Sequence, residues 1–111
     1  MRDLSNLNKL EQYLVEHNIP YERIDQEDKP LDDGHKYVLV EFERHQICVP
    51  REGEGREWDA ICHRGSYGAE EGLLEIMGNI VDPLAVDSVE GWLTADDVIS
   101  RIERATMEVE S

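Results

Sequence analysis

With 111 residues and 12.8 kDa the chain is long enough for one hydrophobic core and too short for two, so residues 1–111 are expected to form a single domain. Apolar residues at 40% and charged residues at 33% exclude wholesale disorder, and a net charge of −15, from 26 acids against 11 bases, excludes direct binding to nucleic acid or to an anionic membrane. The charged opening M-R-D-L-S-N-L-N-K-L excludes a signal peptide, no stretch has the length of a membrane span, and two cysteines, Cys48 and Cys62, point to thiols in a reducing cytoplasm.

Leu4, Leu7, Leu10 and Leu14 recur at three- and four-residue spacing, with Asn6, Asn8, Lys9, Glu11, Gln12 and Glu16 on other faces, the pattern of an amphipathic helix packed on a sheet. Asp3 or Ser5 caps its start, and Asn18 before Ile19-Pro20 ends it, because a residue preceding proline is pushed out of the α region. Tyr21–Ile24 predicts a short strand, and D-Q-E-D-K-P-L-D-D-G from Asp25 to Gly34 predicts a loop. Its acids suit a calcium loop in composition only. The sixth position, where an EF-hand needs glycine, is Pro30 counted from Asp25 and Asp33 counted from Asp28.

Lys36–Glu43 is the strongest strand pattern, with Val38, Val40 and Phe42 on one face. Gln46–Val49, closed by Pro50, follows across a short Arg44-His45 connection, which predicts an antiparallel hairpin. After the flexible Arg51–Arg56 loop, Trp58–His63 returns as a third strand. The result is a three-stranded meander, with Tyr21–Ile24 as a fourth strand on its edge if it joins.

Gly65-Ser66-Tyr67-Gly68 breaks the third strand, and Ala69–Met77, carrying Leu73, Leu74, Ile76 and Met77, predicts a short buried helix ended by Gly78. Asn79–Gly91 reads as irregular, with Asp82-Pro83 as a turn. Thr94 and Asp97 then form a capping box, Leu93 and Val98 occupy the hydrophobic staple positions, and Val98, Ile99, Ile102 and Ala105 make an apolar stripe. Arg101 and Arg104 fall toward the end of this helix, where its dipole favours cations. The expected fold class is α+β in the order α-β-β-β-α-α.

Cys48 and Cys62, with His45 and His63, would converge if the intervening loop turned about residue 55, and that set would suit zinc. Against it stand the missing C-x₂₋₄-C knuckles and the strand alternation that turns Cys62 and His63 to opposite faces. Ser66 sits at a strand-to-helix turn, but a nucleophile elbow needs G-x-S-x-G and Arg64 occupies the earlier glycine position. A helix start at Ala69 would offer N–H groups to an anion beside Arg64, yet Glu70 and Glu71 already complement that dipole. Glu41 and Glu43, on a strand that follows a helix, would suit an α-β-β-β nuclease, which also requires a lysine two residues after the acid; none is there. No catalytic, metal or cofactor-binding residue is therefore assigned. The competing enzymatic reading places a small metal-dependent or hydrolytic activity at Asp59, Cys62 and His63.

Charge is unevenly spread, with 15 acids and 9 bases through Arg64, then 11 acids against Arg101 and Arg104 alone. Such a base-free run either solvates one face or meets a basic partner. The run S-Y-G-A-E-E-G-L-L-E-I-M-G, followed by V-E-G-W-L-T-A-D-D-V-I-S-R-I, resembles small uncharacterised proteins encoded in prophages of Gram-positive bacteria, over about the C-terminal half. The resemblance implies a phage or mobile-element accessory protein in a bacterial host cell, and it carries over no functional residues. In element order and charge the chain is also similar in outline to phage-encoded inhibitors that occupy the nucleic-acid site of a defence nuclease. The leading expectation is a non-enzymatic protein that acts, as a DNA mimic does, on a basic or nucleic-acid-binding partner protein. Its expected contact surface is Glu70, Glu71, Glu75, Asp82, Asp87, Glu90, Asp96 and Asp97. A structural homo-oligomer is the third reading.

Overall fold

The leucine stripe folds as its spacing predicts: Ser5–Glu16 forms α1, with Leu7, Leu10 and Leu14 wholly buried. These are features of a computed structural model that describes residues 2–27, 29–31, 39–41, 43–82 and 88–110. Neither Asp3 nor Ser5 is the N-cap, which is Leu4 without a side-chain cap; the Asp3 carboxylate instead accepts the Ser5 N–H at 2.9 Å and the Ser5 hydroxyl at 2.7 Å. At the other end Asn18 takes a φ of 55°, and the Ile19 N–H turns back to the Leu14 carbonyl at 2.9 Å, so orphan carbonyls of the last turn are satisfied.

An antiparallel sheet of five strands lies against the helices in the order β1-β4-β5-β6-β7. Its strands are Glu22–Gln26 (β1), Arg44–Val49 (β4), Trp58–Ile61 (β5), Leu74–Gly78 (β6) and Val89–Leu93 (β7). Lys29–Leu31 (β2) and Leu39–Glu41 (β3) pair only with each other. Their pairing nevertheless continues that of β1 with β4, stepping from Glu22↔Cys48 and Gln26↔Arg44 to Lys29↔Glu41 and Leu31↔Leu39 without a slip. The two strand pairs thus share one register although they belong to separate sheets. On the sheet's inner face Ile47, Val49, Trp58, Ala60, Cys62, Leu74 and Ile76 join the leucines of α1 in one core. Alternation sends Gln46, Cys48 and Asp59 to the other face, where they too are buried.

The hairpin expected across Arg44-His45 is not formed, because Gln46–Val49 lies between β1 and β5 and Leu39–Glu41 pairs with Lys29–Leu31. Neither Arg44 nor His45 offers the left-handed backbone that a two-residue reversal demands, so the strand runs straight on. The edge strand anticipated at Tyr21–Ile24 is present, and it extends into the expected loop as far as Gln26, where His45 and Arg44 supply cross-strand partners for Asp25 and Gln26. The remainder of the strand reading, at residues 36–38 and 42, and of the loop reading, at residues 28 and 32–34, lies outside the described residues.

The helix expected over Ala69–Met77 is a single 3₁₀ turn, Ala69–Glu71, followed by strand β6. Gly72 sits at a left-handed φ of 74°, through which no right-handed helix passes, and Leu74 and Ile76 at two-residue spacing bury their side chains in the core. β7 begins inside the stretch expected to be irregular, Asn79–Gly91, and runs on to Leu93. Among the described residues the chain is therefore α+β with one C-terminal helix, not two, and five strands in its main sheet, not three or four.

That last helix, α2, spans Ala95–Glu110. Its capping box forms as the spacing predicts: the Thr94 hydroxyl accepts the Asp97 N–H at 3.1 Å, and the Asp97 carboxylate accepts the Thr94 N–H at 3.0 Å. Leu93 and Val98 are both buried. Arg101 and Arg104 do not serve the helix end, since α2 continues to Glu110; they reach back to Glu90 and Asp82 instead. Among the described residues no helix is long and apolar enough to cross a membrane.

Candidate functional site

The stretch that breaks β5 builds the walls of a cleft. Ser66 closes the turn after His63, its N–H and hydroxyl both donating to the His63 carbonyl at 2.9 and 2.7 Å, while the hydroxyl oxygen accepts the His63 N–H at 3.0 Å. That hydroxyl is spent on turn geometry, as the incomplete elbow motif implied. Tyr67 follows, donating its N–H to the Glu75 carboxylate at 3.0 Å and accepting the Trp92 N–H on its carbonyl at 3.2 Å. Across from Glu75, β7 carries an extra residue. Leu74 pairs with Leu93 and Ile76 with Glu90, so Gly91 and Trp92 together oppose one position, a β-bulge. Gly91 is required there, because a Cβ would collide with the Cβ of Tyr67.

Trp92 has a φ of 61°, which costs a bulky residue on the order of 1–3 kcal/mol. The result is two large aromatics, Tyr67 and Trp92, left 60% and 59% exposed side by side. They line an open cleft of about 360 Å³ together with Arg2, Arg64, Glu70 and Glu71. Asn6 ties this region to both helices, donating its amide to the Gly72 carbonyl at 3.0 Å and accepting the Ala95 N–H at 2.9 Å.

Charge in the cleft is already partly matched. Arg2 grips the Glu43 carboxylate with Nε, at 3.2 Å, and with a terminal nitrogen, and Glu43 also accepts the Arg64 backbone N–H at 2.9 Å. The Arg2 guanidinium holds the Glu43 carboxyl below its ordinary range in spite of burial. Glu70 and Glu71, by contrast, are exposed; the Glu71 backbone N–H donates to the Gly68 carbonyl at 3.0 Å, and the Glu70 charge acts on Arg2 across the cleft. The helix start weighed at Ala69 as an anion site is a single 3₁₀ turn.

Other acids of the expected contact surface have partners inside the molecule. Glu75 holds Tyr67; Asp82 lies 3.6 Å from Arg104; Glu90 is bound twice by Arg101; Asp96 meets Lys9 at 3.0 Å; and Asp97 completes the capping box. Asp87 lies outside the described residues. The base-free run is thus met by Lys9, Arg101 and Arg104 from outside it.

Cys48 and Cys62 do not meet. Cys48 stands opposite Asp59, and the Cys62 N–H donates to the His45 carbonyl at 3.0 Å, a register that places the two thiols on opposite faces of the sheet. Both are buried, and desolvation pushes both thiols up from their ordinary pKa. Burial pulls the His63 pKa down, and the His63 Nδ1 accepts the His45 N–H at 3.3 Å. Asp59 accepts the Gln46 amide at 2.6 Å on the face away from Cys62, so Asp59, Cys62 and His63 do not assemble as one site. His45, 1% exposed, places Nδ1 2.9 Å from Asp25 and Nε2 3.6 Å from both Glu27 and Glu43. Among the described residues no three His, Cys, Asp or Glu side chains converge closely enough to hold a metal ion.

Sequence reasoning missed Tyr67, Trp92 and Asn6. The one available signal was a tryptophan beside a glycine just ahead of a capping box, a poor place for a core residue. Comparison with protein-family models, curated proteins and solved structures finds no match to this chain.

Proposed function

We propose that the chain is a non-enzymatic interaction protein that binds a basic partner protein through the cleft at Tyr67 and Trp92, flanked by Glu70 and Glu71. The observation that carries this reading is Trp92 itself. A glycine or asparagine would satisfy a left-handed φ more cheaply, and an exposed indole adds nothing to the core, so the fold accepts strain for a side chain it does not bury. Tryptophan and tyrosine supply much of the binding energy at protein interfaces, and the net charge of −15 steers a basic partner toward them. A nucleic-acid-binding protein of the host carries such a basic surface, which suits the phage or mobile-element setting that the sequence resemblance implies.

The test is retention of proteins from a nuclease-treated bacterial lysate on the immobilised chain. Retained proteins should be basic, should elute steeply with salt, and should be lost when Glu70→Lys and Glu71→Lys are combined. Retention that is indifferent to salt and to the charge reversal defeats the reading.

A further inference from the structure

We propose that the cleft takes one arginine side chain of the partner, its guanidinium lying against the Tyr67 and Trp92 rings and paired with Glu70 or Glu71. The inference rests on the interaction reading above and names the group that the site recognises. Two exposed aromatic rings present π-faces that attract a cation, and a guanidinium, being planar and weakly hydrated, stacks on them better than an ammonium does. The same fork then offers two parallel N–H donors to a carboxylate. Among the described residues Glu70 and Glu71 are the carboxylates on the cleft wall, and both are exposed.

Of the two arginines on the wall, Arg2 is already paired. Arg2 is held by Glu43, which removes its charge from competition with an incoming cation. Arg64 gives only its backbone N–H to that carboxylate, and the incoming guanidinium has to seat on the Glu70 and Glu71 side of the cleft, away from the Arg64 side chain. Rigidity adds selectivity, since the Trp92 N–H bond to Tyr67, the close approach of Gly91 to the Tyr67 side chain and the contact that a Cβ on Gly68 would make with Trp92 Cα all fix the spacing of the two aromatic residues. An anionic or phosphorylated ligand meets the wrong charge here, both at Glu70 and Glu71 and in the molecule as a whole.

The probe is a short Gly-Ser peptide with one central arginine, compared with the same peptide bearing lysine or the uncharged isostere citrulline. Binding is read from backbone amide shifts of residues 66–72 in NMR titrations. The arginine peptide should bind several-fold more tightly than the lysine peptide, and the citrulline peptide should leave the shifts unmoved. Trp92→Asn, which suits the left-handed backbone and keeps the fold testable by circular dichroism, should weaken the arginine peptide about tenfold. Equal binding of all three peptides, or an unchanged affinity in folded Trp92→Asn, overturns the arginine site. If lysate retention still falls on reversing Glu70 and Glu71 while the peptides do not discriminate, the anchor is wrong and the broader reading survives. If neither measurement responds, both are wrong.

Discussion

Arg101 of α2 binds Glu90 of β7 through Nε at 3.0 Å and a terminal nitrogen at 2.7 Å, both on the same carboxylate oxygen. The other oxygen of Glu90 accepts the Asp82 N–H. One carboxylate therefore fastens the last helix to the edge strand and to the chain that leads into it.

Arg101→Ala should destabilise the fold by about 2 kcal/mol, because it strips the charged hydrogen bonds from a carboxylate that is largely buried. The Arg101 guanidinium holds the Glu90 carboxyl below its ordinary range, against the opposing effect of burial. A depressed folded pKa stabilises fully above the unfolded value of about 4.3 and is lost as pH falls through the folded value. The expected outcome is that Glu90→Gln is less stable than the parent at pH 7 and that the gap closes in acid. Thermal unfolding followed from neutral to strongly acidic pH checks both; a gap independent of pH would show that the pairing is not what Glu90 contributes.

Thr94→Ala should cost about 1 kcal/mol, the usual worth of an N-cap, and Thr94→Ser should restore most of it. Since the Asp97 carboxyl is itself held low by the Thr94 N–H and hydroxyl, the benefit of the box should also fade in acid. Urea titrations of the two variants measure the difference directly.

Neither cysteine should react quickly in the native protein. Both thiols are buried with raised pKa, and they occupy opposite faces of the sheet, so mild oxidation should form no internal disulfide. An Ellman titration should find two slow thiols at neutral pH and two fast ones in denaturant. A rapid native thiol would contradict the burial described for that residue.

The two helices were legible because their signals are local: a leucine every three or four residues, and a capping box whose two partners are three residues apart. The edge strand at Tyr21–Ile24 was legible for the same reason. Leu73–Met77 was misread because a short apolar run satisfies either period, and what decides for a strand is a pair of neighbours, β5 and β7, that no local pattern reveals. The reversal placed at Arg44-His45 failed likewise, since the true partner of that strand begins at Glu22. Of the expected contact surface, Glu70 and Glu71 lie on the cleft, but the aromatic pair beside them depends on a bulge that joins positions 25 residues apart, from Tyr67 to Trp92.

The pairing of β1 with β4 separates two kinds of evolutionary freedom. A single-residue deletion within β1 or β4 would turn the side chains beyond it to the wrong face, and in β4 these include Ile47 of the core. Removal or addition of two residues on both strands at once preserves the pleat. Length changes in this strand pair are therefore tolerated in matched pairs and not singly.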